Sequence, residues 1–391
     1  MKDQIQDIIS RFGPRPAGSQ AEHQAQDYVA NDMLRHTDDV QVLPFQAPLT
    51  AKFGKMKLYA ALYLIALVVF WFSPLTATLI AVINAIVLIS DLMQNIGIAD
   101  FLYPAKTSWN VSATLEPQKE VKSTLIFSGH IDSTHECTWW YRFKQYGAHL
   151  TIATGLMMVS FALYLVVYQL GDYFVYDDMP AFTFYIYLFF VLISPLTIIY
   201  FTFHGPECVP GACDNLSGII IAKNVVSAFA DPAHRGQSTL QHTRLRFLSF
   251  GSEEKGLRGS TAYVEDFIDK LRSENAHLVN IDSVRLPDHI TLVTGEVMSF
   301  VSFDSFLIGE TKKAFESKNI SYKTANLPMG GTDAIPFQQK NIPSMSIIGM
   351  DTKKLDPTYH TRLDVIENVD QKALDNTRDA LIELVKQWDK M

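Results

Sequence analysis

Two histidines and a group of carboxylates stand in five short segments whose residue types suit one piece of chemistry. The segments are Gly129-His130-Ile131-Asp132, Gly211-Ala212-Cys213-Asp214-Asn215-Leu216-Ser217-Gly218, Ser252-Glu253-Glu254-Lys255-Gly256-Leu257-Arg258-Gly259-Ser260, Asn280-Ile281-Asp282 and Tyr359-His360-Thr361. Brought together without metal, their carboxylates repel and have to be partly protonated. Divalent cations remove that conflict. Two imidazoles with three or more carboxylates suit a pair of zinc-like ions, one carboxylate lying between them. Ions about 3.5–4 Å apart can hold a hydroxide and polarise a carbonyl together. Taken singly the residues are unremarkable: His130 reads as a structural histidine, Asp282 as a cap or surface charge, Glu253-Glu254 as a solvated acidic pair.

The first four segments follow or end runs that read as strands or their loops, and open α/β sheets bind ligands beyond the carboxyl ends of their strands. Val40–Phe45, Asn110–Leu115, Thr124–Phe127, Arg244–Phe250 and Leu278–Ile281 have strand character. Helical patterns cover Gln20–Leu34, a stretch from Leu216, Ser260–Leu271, Ser305–Glu316 and Gln371–Trp388. The alternation predicts an α/β fold, a mostly parallel mixed sheet flanked by helices.

Two apolar inserts interrupt this pattern. Leu58–Ser90, Leu150–Gly171 and Met179–Phe203 contain no charged residue, and a membrane span needs roughly 20 apolar residues. The blocks predict two inserted transmembrane helical hairpins with four spans, Leu58–Phe72 with Leu75–Met93 and His149–Leu170 with Phe182–Phe203. Buried core helices are the competing reading, but such helices seldom run uncharged for a membrane thickness. Lys52, Lys55 and Lys57 precede the first hairpin and Arg142 and Lys144 the second, whereas Ser73-Pro74 and Gly171–Ala181 carry no Lys or Arg. The positive-inside rule then puts the remaining chain in the cytoplasm. Met1–Gln4 opens no apolar leader core, so no cleaved signal is expected.

In order along the chain, HxD, DNxSG, EExGxxGS, a strand-end Asp and a late YHT resemble the M28 family of metallopeptidases. Gly13-Pro14-Arg15-Pro16-Ala17-Gly18-Ser19 and the stretch Tyr359–Asp370 resemble it as well. The resemblance implies a zinc aminopeptidase-like fold, two Zn2+ ions and removal of an amino-terminal residue from a peptide substrate. It implies that His130 and Asp282 bind one metal, that Asp214 bridges, and that Glu254 and His360 complete the second site. Glu253 would be the general base, passing a proton from the attacking water to the leaving amine. Asp132 would orient the site from behind the ligands. On this basis the peptidase domain comprises 1–50, 95–145 and 205–391, with hairpins at 51–94 and 146–204. Membrane lipids are the other expected partner.

Three features depart from the family pattern or stand outside it. Cys213 precedes Asp214 where a polar or acidic residue is usual, and a thiol there invites oxidation. Ala334, in Gly330-Gly331-Thr332-Asp333-Ala334-Ile335-Pro336-Phe337, occupies a position where many members carry His, which bears on substrate choice. The second hairpin separates His130 from Asp214 and serves either as an anchor or as a gate. His135 and His204 read as polar residues near a membrane boundary. The sequons at Asn110 and Asn215 read as chance matches, since a glycan on Asn215 would block the site. A net charge of -8 without a basic stripe excludes nucleic acid as a partner. Three cysteines in 391 residues form no disulfide framework. Competing functions are a single-zinc glutaminyl cyclase, an inactive receptor or scaffold on the same fold, and a transporter. The spans lack the charges that mark a transport path.

Overall fold

The computed structural model describes residues 1–92, 97–175 and 180–391; Met93 and the loop residues 176–179 of the expected hairpins lie outside that range. The chain divides into two compact units. The first comprises Met1–Leu49, Pro104–Glu136 and Pro206–Met391, and the second Thr50–Tyr103 and Cys137–Gly205. The stretches 97–103 and 137–145, grouped from sequence with the peptidase domain, cluster instead with the apolar helices. Short helical segments there, Asp100–Leu102 and Thr138–Phe143, explain the difference.

The first unit is built on a nine-stranded sheet. Its strands are β1 (Val40–Ala47), β2 (Lys106–Leu115), β3 (Ser123–His130), β6 (Thr243–Phe250), β7 (Ala276–Val284), β8 (Thr291–Glu296), β9 (Val301–Ser302), β10 (Lys323–Leu327) and β11 (Ser344–Gly349); β4 (His135–Cys137) and β5 (His204–Cys208) pair separately. The order is β1-β2-β6-β3-β7-β11-β8-β10, with β9 beside β8. The central run β6-β3-β7-β11 is parallel. Outside it β1–β2, β2–β6, β8–β9 and β8–β11 are antiparallel while the edge pair β8–β10 is parallel, so the sheet is mixed. β3, β7 and β11 are buried at every position, as expected of strands covered on both faces.

Helices α1 (Lys2–Phe12), α2 (Gln20–Met33), α9 (Gly218–Ser227), α10 (Arg258–Ser273), α11 (Ser305–Ser317), α12 (Ala334–Gln339) and α13 (Gln371–Trp388) belong to this unit. Ile5, Val29, Leu216, Ile220, Phe247, Leu278, Leu381 and Leu384 share one apolar core with the sheet. The start of α9 lies against the sheet at backbone distance. A Cβ added to Gly218 would sit 2.1 Å from the Ile281 carbonyl oxygen, and one on Gly129 2.8 Å from the Ile219 nitrogen. Only glycine allows that approach, which brings the ends of β3 and β7 up to the turn carrying Asp214.

The second unit contains α3 (Ala51–Val69), α4 (Pro74–Leu92), α5 (Thr138–Phe143), α6 (Gln145–Phe174), α7 (Ala181–Ile193) and α8 (Ile198–Phe201). Among the described residues three helical stretches are long and apolar enough to cross a membrane: Pro74–Asp91, Gln145–Phe174 and Ala181–Phe201. The fourth expected span falls in α3, whose first two turns carry Lys52, Lys55 and Lys57. The inner faces meet through small residues, Ala60, Ala66, Ala77, Ala81 and Ala85 among them, around Tyr63, Phe161 and Phe190. Outward faces keep Val68, Leu79, Ile83, Leu163, Val167 and Leu192 exposed. A surface of that kind suits lipid and would be a liability in water.

One charged cluster lies inside this unit. Lys55 Nζ is 2.6 Å from Asp91 and 2.7 Å from Asp100, and Tyr59 donates to Asp91. Removing the cation would leave two carboxylates half-buried without it. Lys55→Met is therefore expected to destabilise the chain by about 3–5 kcal/mol. A lowered thermal midpoint of the purified full-length protein checks this, and an unchanged midpoint contradicts it.

Candidate metal centre

The positioning of the site starts at the strand ends. His130 is the last residue of β3, and Asp282 lies near the end of β7. Glu253 and Glu254 open a short turn beyond β6. Asp214 sits in an irregular turn between Gly211 and α9. His360 comes from the long segment after β11, with φ of 55°. Ser252 also takes a left-handed φ, of 56°. Such backbone in non-glycine residues is sparsely populated and persists where surrounding structure fixes it.

The expected ligands converge. Asp214 presents Oδ1 to His130 Nε2 at 3.1 Å and Oδ2 to His360 Nε2 at 3.3 Å. His130 Nε2 is 3.9 Å from Asp282 Oδ1 and 3.7 Å from Glu253 Oε2. His360 Nε2 is 3.3 Å from Glu254 Oε2. Two donor groups result, His130 with Glu253 and Asp282, and Asp214 with Glu254 and His360, each with ligand atoms within 4.8 Å of one another. Asp214 therefore touches both.

Buried carboxylates placed this closely cannot all ionise. Burial pushes Glu253 well above the usual carboxylate range, helped by Glu254, Asp333 and Asp282. Burial likewise pushes Asp282 up to about 6. Asp214 behaves oppositely: burial would raise it, but the hydrogen-bonding imidazoles of His130 and His360 hold it well below its ordinary value. A cluster of nitrogen and oxygen donors that strains against its own charge fits divalent zinc-like cations. The residues present thus fit the metals the motifs imply.

A second layer of buried carboxylates fixes the main chain beneath these side chains. Asp132, fully buried, accepts from the amides of Glu253 at 3.0 Å and Glu254 at 3.2 Å. It also lies 3.4 Å from His130 Nδ1, so it touches both the histidine and the glutamate pair. Asp364 accepts from the amides of Cys213 at 2.6 Å and Asp214 at 3.1 Å. Arg15, also fully buried, donates to the carbonyls of Ile131, Pro210 and Gly211, tying the loop after His130 to the loop before Asp214. Arg15 and Asp364 fall in stretches already singled out from sequence, Gly13–Ser19 and Tyr359–Asp370. No spacing rule assigns them these partners.

The remaining sequence expectations resolve as follows. Cys213 is buried, and burial with Asp364 and Asp214 nearby pushes its thiol well up, so the oxidation expected there is disfavoured. Ala334 is buried at the start of α12. His135 and His204 belong to neither donor group; His204 packs against Phe53 with tilted rings, centroids 4.3 Å apart. Both sequon asparagines are internally committed: Asn110 bridges Gly251 and Gly259, and Asn215 bonds Gly218, Ile281 and Ser283.

Residues 197–385 match the model of Peptidase family M28. Aminopeptidase YwaD of Bacillus subtilis is 30% identical over 207 residues, which is 49% of this chain and 42% of that protein. The chain thus spans less than half the length of the curated relatives it matches. A zinc aminopeptidase structure from Bacillus subtilis has a TM-score of 0.56 at 16% identity, covering 99% of this chain and 94% of that one. A Porphyromonas gingivalis glutaminyl cyclase has a TM-score of 0.55 at 12% identity, covering 99% and 96%. At such identities these structures establish the fold. The likeness to Peptidase family M28 covers just under half of the chain. The matched region contains Asp214, Glu253, Glu254, Asp282 and His360. His130 and Asp132 lie before it, across the apolar insert, and join the others through geometry.

Proposed function

We propose that this chain is a membrane-anchored zinc aminopeptidase that removes amino-terminal residues from peptides. The observation that carries the reading is Asp214, whose two oxygens each face a different imidazole as a bridging ligand would. Two zinc ions held there would polarise the scissile carbonyl and lower the pKa of water. His130 and Asp282 would hold one ion, Glu254 and His360 the other, and Asp214 would be shared. Glu253, packed beside His130, takes a proton from the attacking water and delivers it to the leaving amine. Asp132 holds His130 and the amides of Glu253 and Glu254 in register.

The membrane part of the proposal has its own support. β1 and β2 pair in register from Val40 opposite Ala113 to Ala47 opposite Lys106. Both must lie on one side of a membrane, so the chain between them crosses an even number of times. Pro74–Asp91 then requires a partner, and α3, whose Lys55 pairs with Asp91, fits that role. That count and the lysine bias support a reading with four spans and a cytoplasmic peptidase domain.

Chelation tests the metal reading. Full-length protein treated with a chelator is expected to lose cleavage of aminoacyl reporters and to melt at a lower temperature, and zinc is expected to restore both. Two zinc ions per chain at full activity support the aminopeptidase. One ion at full activity would favour the glutaminyl cyclase reading. Cleavage that survives complete metal removal sinks both.

A further inference from the structure

The catalytic turn is held from two sides, and the mechanism above uses only one of them. Asp132 accepts the amides of Glu253 and Glu254. The preceding amide, that of Ser252, donates at 2.9 Å to Glu22 Oε1, with the Ser252 hydroxyl at 3.3 Å from the same oxygen. Glu22 lies in the first turn of α2 and is fully buried. Its other partners are the Gly18 amide at 2.7 Å and the Ser108 hydroxyl at 3.0 Å. We propose that Glu22 is a positioning residue for the general base, fixing Ser252 so that Glu253 keeps its place beside His130.

The contacts go beyond what helix capping needs. Ser19 accepts the Glu22 amide, and Glu22 returns a bond to Gly18, which completes a reciprocal cap. Capping leaves unexplained why the same carboxylate reaches β2 and the turn after β6. Burying it is costly unless donors surround it. Burial and the nearby Asp132 push the carboxyl up to about 8. The Ser108 hydroxyl can donate or accept, so it serves either protonation state. The bond to Ser252 is the one with a consequence for chemistry. Ser252 holds the left-handed conformation that turns the chain after β6, and that turn aims the next two amides at Asp132. Space there is already closed: a Cβ added to Gly251 would meet the Trp109 carbonyl at 2.4 Å and Glu22 Oε1 at 2.9 Å. Without Glu22 the Ser252 amide loses its carboxylate partner, and Glu253 gains freedom relative to His130.

This inference rests on the aminopeptidase reading, and its test separates the two. Full-length parent, Glu253→Gln, Glu22→Leu, Glu22→Gln and Ser19→Ala are compared for kcat, KM, zinc content and thermal midpoint. Glu22→Leu is expected to lower kcat about 10–100-fold, the range for residues that orient a metal site from behind, with KM and zinc content near the parent's. Glu22→Gln keeps an acceptor for Ser252 and is expected to recover most of the lost kcat. Ser19→Ala weakens the cap of α2 while sparing the Ser252 contact, so its midpoint falls but its kcat stays. The proposal is overturned if Glu22→Leu keeps the parent kcat, if its loss follows zinc loss or is matched by Ser19→Ala, or if Glu22→Gln recovers nothing. Should Glu22→Leu fail to fold, Ser252→Ala deletes one donor of the same contact; a reduced kcat supports the proposal and an unchanged one overturns it. A parent that cleaves no peptide sinks the functional reading itself, whereas an active parent with indifferent Glu22 variants sinks only this inference.

Discussion

Glu253→Gln is expected to cut peptide cleavage at least ~10²-fold, as removal of a positioned general base does, while zinc content stays close to that of the parent. The substitution keeps the size of the side chain and its neighbours. It removes the proton acceptor. Glu253 is buried and lies 3.7 Å from His130 Nε2, so an amide there can still pack and still touch the ligand cluster. What it cannot do is take a proton from water and return it to the leaving amine. Parallel measurement of kcat and KM over a peptide library gives the decisive pattern: kcat falls and KM moves little. A variant that keeps the parent kcat removes Glu253 from the mechanism. An inactive parent whose rate Glu253→Gln leaves unchanged would instead point to a scaffold without catalysis.

The sequence showed which residues could do chemistry better than it showed what holds them. The five segments were legible because HxD, DNxSG and EExGxxGS combine charged groups with glycines and small residues at fixed spacing. The structure brings their side chains to two adjacent donor groups. The residues beneath them were not legible. Arg15, Glu22 and Asp364 are charged residues at positions where composition predicts surface, yet all three are buried. Each bonds a main-chain amide or carbonyl more than a hundred residues away. Local periodicity carries no record of such contacts. The sheet was read in part for a similar reason. β11 is apolar or small at all six buried positions, and its alternation stops after Ser344-Met345-Ser346-Ile347. It and β8, β9 and β10 passed as undifferentiated chain, so the antiparallel pairings on that side could not be anticipated. At the helices the limit was charge. Runs without charged residues set the expected start of the first span at Leu58, but backbone hydrogen bonding carries α3 back to Ala51 through three lysines.

Asp214→Ala is expected to be more damaging to the metal centre than the loss of any other single ligand, because the Asp214 carboxylate faces both imidazoles. His130 would retain Glu253 and Asp282 nearby, and His360 would retain Glu254. Neither group would keep three donors apart from the base itself. Zinc content should therefore fall below two ions per chain. Loss of several kcal/mol of transition-state charge stabilisation, at 1.36 kcal/mol per tenfold, corresponds to a rate reduced ~10³-fold or more. The contrast with Asp132→Asn makes the test specific. Asp132 touches His130 and two amides but presents no oxygen between the imidazoles, so its substitution is expected to cost about 10–100-fold with both ions still bound. Metal analysis and steady-state rates on the two full-length variants decide between these roles. If Asp214→Ala binds two zinc ions as tightly as the parent, the bridge is not Asp214. If Asp132→Asn loses an ion, the division between ligand and orienting carboxylate has been drawn in the wrong place. The order of damage matters because both carboxylates are buried and both lie against His130. Only the one with an oxygen aimed at each imidazole can serve two cations at once.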